Sequence, residues 1–140
     1  HSRGTSRTMD RCTDYGEQGV VQGVLAELRA ATDRAVEAGV QRDQLLWDPG
    51  LGFAKTTAQN LTLLQQLDTL VSAGIPLLLG PSRKRFIGAV LDEPRARARL
   101  WGTAAVCARA VDAGVAVLRV HDVGPIHQVV TMASAIGSDR

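Results

Sequence analysis

Apolar positions in this chain alternate between two regimes. In some stretches they recur three or four residues apart, and between these lie short runs in which they are consecutive. From about Gln18 to Ala38, the residues Val21, Val24, Leu25, Leu28 and Ala35 keep the spacing of one helical face. A second such stretch runs from about Thr57 to Ser72, with Leu63, Leu64, Leu67, Leu70 and Val71 on one side. A short helix is expected after the turn at Ser82, through Phe86 to Leu91. Asp92-Glu93-Pro94 then reads as the opening of another helix, since acidic residues and proline are favoured in a first turn. That helix carries Leu100, Ala104, Cys107 and Val111 on one stripe and ends at Gly114. A last helix starts near Pro125 and is expected to bury Ile126, Val129, Val130 and Ala133. Residues 1–17 are polar and irregular and predict a loop.

The consecutive runs follow one repeated signal. Ala38-Gly39-Val40 leads to Leu45-Leu46-Trp47 and Asp48-Pro49-Gly50; Ala73-Gly74-Ile75 leads to Leu77-Leu78-Leu79 and Ser82-Arg83-Lys84-Arg85; Ala113-Gly114-Val115 leads to Val117-Leu118 and Arg119-Val120-His121-Asp122. Each is a helix closed by a glycine in the left-handed cap position, then a short strand, then polar groups. Short, unalternating apolar strands belong to parallel sheets covered on both faces. The architecture is therefore α/β, either an open doubly wound sheet or a closed (β/α)₈ barrel. No Gly-x-Gly-x-x-Gly follows a strand, which removes support for dinucleotide binding. A complete barrel takes about 250 residues, and the 140 residues here hold three strand–helix units. The expectation is the C-terminal part of a (β/α)₈ TIM barrel over residues 1–140, with the first strands outside this chain.

Composition narrows the function. A formal charge of +2 and 4% aromatic residues leave little for nucleic-acid backbones or bases. No apolar run approaches the roughly 18 residues of a membrane span. Cys12 and Cys107 are far apart without metal-ligand spacing, which reads as inert thiols in a reducing, cytoplasmic compartment.

Function in parallel β/α enzymes sits at the C-terminal ends of the strands. Here the first end offers Asp48, a carboxylate able to accept paired N–H bonds from a flat amidine-like edge. The second offers Arg83, Lys84 and Arg85 at a helix start, and the third Arg119 and His121, on the same side of their strand. Together they call for a ligand with an N–H-rich heterocycle at one end and phosphate or carboxylate at the other. His127, Trp47 and Trp101 read as packing or surface, Arg95, Arg97 and Arg99 as a solvated helix face, and Lys55 as an organiser of its loop.

Three motifs carry a resemblance. Asp48-Pro49-Gly50-Leu51-Gly52-Phe53-Ala54-Lys55-Thr56, Ser82-Arg83-Lys84-Arg85-Phe86-Ile87-Gly88 and Arg119-Val120-His121-Asp122-Val123 resemble the dihydropteroate synthase family in order and spacing. His1, Arg3-Gly4-Thr5 and Gly102-Thr103-Ala104 add to it. The resemblance implies a pterin-binding barrel, a transferase of folate biosynthesis. Such an enzyme joins 6-hydroxymethyl-7,8-dihydropterin pyrophosphate to p-aminobenzoate with Mg²⁺ and works as a homodimer. It further implies that Asp48 holds the pterin, Phe53 walls the aminobenzoate site, and Lys84 contacts both. Arg119 and His121 would take the departing pyrophosphate, so Lys84, Arg119 and His121 are the implied catalytic groups. Arg85 stands where the family often has a serine that binds the aminobenzoate carboxylate. Ser2, Ser6 and Gln59 also depart from common family residues. The family's Mg²⁺-associated asparagine, its mobile substrate loops and further pterin-binding residues are expected upstream of His1, so the 140 residues alone are expected to be inactive. Two alternatives are a non-catalytic pterin-binding or dimer-forming paralogue, and a corrinoid-dependent methyltetrahydrofolate methyltransferase domain. The latter has less use for the phosphate-binding groups.

Overall fold

The computed structural model describes residues 1–137. Its helices are α1 (Gly19–Glu37), α2 (Thr57–Gln65), α3 (Leu67–Val71), α4 (Arg85–Leu91), α5 (Leu100–Asp112) and α6 (Val123–Gly137). The strands are β1 (Leu78–Leu79) and β2 (Val117–Leu118). On α1 the predicted stripe is buried through Val21, Val24, Leu25 and Leu28. The three glycine caps have the expected left-handed backbone, with φ of 98° at Gly39, 83° at Gly74 and 82° at Gly114. After two of them the chain closes the same bond: Val40 N–H donates to Ala35 and Val115 N–H to Ala110, both at 3.0 Å.

The strands are parallel and very short. Trp47 forms a parallel bridge with Leu77, Leu78 pairs with Val117, and Leu79 pairs with Leu118. The order is thus the Trp47 segment, β1, β2, so Asp48, Gly80 and Arg119 emerge at one edge. The core behind that edge gathers Val24, Leu51, Leu63, Leu67, Leu70, Leu77 and Leu79, each almost fully buried.

Several boundaries differ from the sequence expectation. The helix expected over 57–72 breaks at Gln66, which is both the end of α2 and the cap of α3. Carbonyls at the break are taken by Arg109 from α5, which donates to Leu64 at 3.2 Å and Gln65 at 3.1 Å. Asp92-Glu93-Pro94 does not open a helix. Asp92 adopts the left-handed conformation (φ 51°) and closes α4, and α5 begins only at Leu100, after a 3₁₀ turn over Ala96–Arg99.

Arg99 is a correction of the solvated-face reading. It is 9% exposed, and its guanidinium donates to the carbonyls of Glu93, Pro94 and Arg83 at 2.9, 2.7 and 3.0 Å, with a longer bond to Lys84. Helical-wheel spacing missed it because the turn before α5 is not α-helical. Of the residues expected to be buried on α6, only Ile126 is; Val129, Val130 and Ala133 are half-buried. Nor is β2 covered on both faces, since Val117 is 40% exposed. α6 packs mainly on α5. No described helix is long and apolar enough to cross a membrane.

Candidate active site

The first strand end is a braced loop. Asp48 Oδ1 accepts from Gly50 N–H at 2.8 Å, turning the chain at once. Gly50 has φ of 72°, and a Cβ there would collide with the His1 carbonyl oxygen, so no larger residue fits. The His1 backbone nitrogen in turn lies 2.5 Å from the Asp48 carbonyl. Asn60, buried on α2, accepts from Gly52 N–H at 2.7 Å and donates to the Thr56 carbonyl at 2.7 Å. Tyr15 hydroxyl donates to the Ala54 carbonyl at 3.0 Å. Lys55 turns inward and donates to the Gly50 and Phe53 carbonyls, both at 3.0 Å. This agrees with its reading as a loop organiser. Gln59 completes a capping box with Thr56 at the start of α2 and donates to the Thr13 carbonyl at 2.7 Å, tying loop 1–17 to the site. Phe53, at the tip, is left 41% exposed.

At the second end, Lys84 lays its stem across Gly52, where a Cβ would meet Lys84 Cδ at 3.0 Å. Its ammonium stands 3.8 Å from the centre of the Phe53 ring. Burial lowers the Lys84 pKa; Asp48 opposes that shift and Arg119 adds to it. These three charges therefore share one electrostatic environment. Arg83 faces elsewhere: its guanidinium pairs with Asp122 at 2.8 Å, its N–H donates to Thr103 Oγ1 at 3.3 Å, and its φ is 62°. Arg85 points outward to an ion pair with Asp10 at 2.8 Å, in a cleft shared with Thr56 and Asn60.

The third end is set by Ser82. This buried hydroxyl lies 2.9 Å from His121 Nδ1 and accepts from His121 N–H at 3.2 Å, so β1's end holds β2's end. A cavity of about 170 Å³ is lined by Gly80, Ser82, Lys84, Arg119 and His121. A separate concavity of about 370 Å³ lies between loop 1–17 and the first strand end, lined by His1, Thr5, Met9, Asp48 and Phe53 among others. Lys84 lines the smaller cavity, and its ammonium reaches the Phe53 ring, which lines the larger concavity with Asp48; Arg85 lines neither.

Among the described residues no group of three or more His, Cys, Asp or Glu side chains comes together as a metal site. Sequence reasoning does not single out Ser82 or Asn60 as site supports. Neither carries a periodic signal, and each acts on residues brought near it only by the fold.

A carboxylate, an ammonium seated on an aromatic ring, and an arginine–histidine pair stand at one edge of parallel strands, the edge where β/α proteins carry their sites. The chain belongs to the pterin binding enzyme family, whose profile matches residues 1–121. It is 46% identical to the dihydropteroate synthase of Synechocystis sp., across 97% of this chain and 46% of that protein. It is 41% identical to the inactive dihydropteroate synthase 2 of Mycobacterium leprae, across 96% of this chain and 46% of that one. In structure it matches the Yersinia pestis dihydropteroate synthase in its sulfonamide drug complex, with a TM-score of 0.93, 31% identity, and all of this chain on 50% of that one. The Thermus thermophilus dihydropteroate synthase in complex with 6HMPPP matches at 0.90, with 39% identity over 97% of this chain and 53% of that one. The same enzyme in complex with 4-aminobenzoate matches at 0.87, with 39% identity over 94% of this chain and 52% of that one. The chain spans about half the length of each of these relatives.

Proposed function

We propose that this chain supplies the C-terminal part of a (β/α)₈ dihydropteroate synthase. The enzyme joins 6-hydroxymethyl-7,8-dihydropterin pyrophosphate to p-aminobenzoate and releases pyrophosphate. The observation that carries the reading is Lys84, held on the Phe53 ring within the field of both Asp48 and Arg119.

In this reading Asp48 accepts from the amino and ring N–H edge of the pterin. The pyrophosphate lies toward Arg119 and His121, and Phe53 walls the aminobenzoate. The C–O bond to pyrophosphate breaks as positive charge develops on the pterin methylene, and the aniline nitrogen attacks there. The chain's task is then to stabilise the leaving anion and to align two reactants. An arginine and a histidine at the leaving group and a lysine between the substrates fit that task, with no nucleophilic side chain needed. Mg²⁺ accompanies the pyrophosphate in this proposal, and we assign it no ligand among the described residues. Arg85 is paired with Asp10 outside both concavities, so this reading gives it no contact with the aminobenzoate carboxylate.

The proposal includes a homodimer, supported by the exposed apolar side chains Trp101, Val123, Met132 and Ile136. It also includes a cytoplasmic setting, in keeping with the two free thiols. A non-catalytic role is the second reading, favoured by the 41% identity to an inactive paralogue.

The deciding test is pyrophosphate release by the protein expressed from its natural gene, with the dihydropterin pyrophosphate and Mg²⁺, with and without p-aminobenzoate. Release that depends on aminobenzoate and is lost in Lys84→Met supports the synthase. Tight pterin binding with no release supports the non-catalytic reading.

A further inference from the structure

Lys55 is one of the few buried charged residues, at 9% exposed, and the reading above gives it no part in contacting either substrate. Its ammonium has three acceptors for its three N–H groups: the Gly50 carbonyl at 3.0 Å, the Phe53 carbonyl at 3.0 Å and His1 Nδ1 at 3.1 Å. An ammonium can only donate, so His1 Nδ1 accepts and His1 Nε2 carries the hydrogen. That places Nε2–H on Glu27 of α1, 2.8 Å away. Glu27 is also paired with Arg3. A continuous line therefore runs from α1 through Glu27, His1 and Lys55 to the two carbonyls that flank the loop tip. Those carbonyls belong to the turn that starts at Asp48 and to Phe53 itself.

We propose that Lys55 is a positioning residue: given that Asp48 holds the pterin as proposed above, the triply bonded ammonium fixes the Asp48–Phe53 loop in its binding form, and its deprotonation releases the loop and the pterin. A neutral amine keeps only two hydrogens for three acceptors and turns a lone pair toward one of them. One anchor is then lost in a buried place where an unpaired group is costly. The charged groups facing Lys55 come from every neighbouring element: Asp48, Glu27, Arg3 and Lys84, with His1 bonded to it and the Tyr15 ring 6.0 Å away. Burial outweighs the attraction of Asp48 and Glu27 and lowers the Lys55 pKa to about 8. The switch thus falls just above neutral pH.

The test is calorimetric titration of the protein from its natural gene with the dihydropterin pyrophosphate, from pH 6.5 to 9.5. It compares the native protein, Lys55→Arg and Lys55→Met. Native affinity is expected to fall above pH ~8, approaching tenfold per pH unit as the protonated fraction does. Lys55→Arg should bind without that alkaline limb, because a guanidinium stays charged. Lys55→Met should bind weakly and with a flat profile over the same range. A native affinity that stays flat to pH 9.5 overturns the proposal. So does an alkaline limb that persists in Lys55→Arg or Lys55→Met, which would assign the titration to Lys84. Absence of pterin binding at every pH overturns the pterin reading itself, a result distinct from a flat profile with good affinity.

Discussion

The ammonium of Lys84 sits 3.8 Å from the centre of the Phe53 ring. These residues come from different strand ends, and each limits where the other can go. Burial lowers the Lys84 pKa, while the contact with the ring favours the charged ammonium and so works against that shift. The lysine in turn supplies a contact for a ring that is otherwise 41% exposed.

Phe53→Ala removes that support. A cation–π contact of this partly desolvated kind contributes about 1–2 kcal/mol, roughly five- to thirtyfold in affinity. We expect the KM for p-aminobenzoate to rise by about that factor, with a smaller fall in kcat. Steady-state kinetics at saturating pterin check it. An unchanged KM would show that the ring takes no part in the aminobenzoate site.

Arg99 predicts a large stability effect at a residue to which the proposed reaction gives no substrate contact. Arg99→Met leaves the carbonyls of Glu93, Pro94 and Arg83 without their donor, and each of these partly buried bonds contributes about 0.5–1.5 kcal/mol. A loss of about 2–4 kcal/mol is expected in urea unfolding. Arg99→Lys should recover only part, because an ammonium cannot span the same fork of acceptors. Since the Arg83 carbonyl is one of them, the loop carrying Lys84 should also loosen.

The lowered pKa of Lys55 makes a prediction of opposite sign for stability and binding. Its unfolded value is near 10.5 and its folded value about 8, so the unfolded chain holds more protons between them. Stability must therefore rise with pH across that window. The urea midpoint of the native protein should increase from pH 8 to 10, relative to Lys55→Met, while pterin affinity falls. Parallel movement of the two quantities would contradict the assignment.

The two cysteines should differ in reactivity. Cys107 is fully buried, and burial pushes its thiol up to about 11, whereas Cys12 is half-buried in loop 1–17. Iodoacetamide at pH 8 is expected to label Cys12 and to spare Cys107 until the protein unfolds. Peptide mass mapping gives the answer, and equal labelling in the native state would show that α5 opens readily.

Features set by local chemistry are legible in the sequence. Helical stripes such as Val21, Val24, Leu25 and Leu28 follow from the 3.6-residue period. The caps at Gly39, Gly74 and Gly114 follow from the backbone freedom that only glycine has at no cost. The polar residues after each strand are adjacent in the chain, so Asp48, Lys84, Arg119 and His121 are visible as candidates without a fold. Relations between residues far apart in sequence had to await the folded chain. Arg109 fills the break at Gln66, and Arg99 turns inward to cap carbonyls from other segments. Ser82 holds His121, and Arg85 swings out to Asp10 rather than toward Lys84. Lys55 shows the division within one residue. Its role as a loop organiser follows from its motif, but the His1–Glu27 line behind it spans 54 residues of chain. Such bonds depend on distance in space, and no short window of sequence encodes that distance.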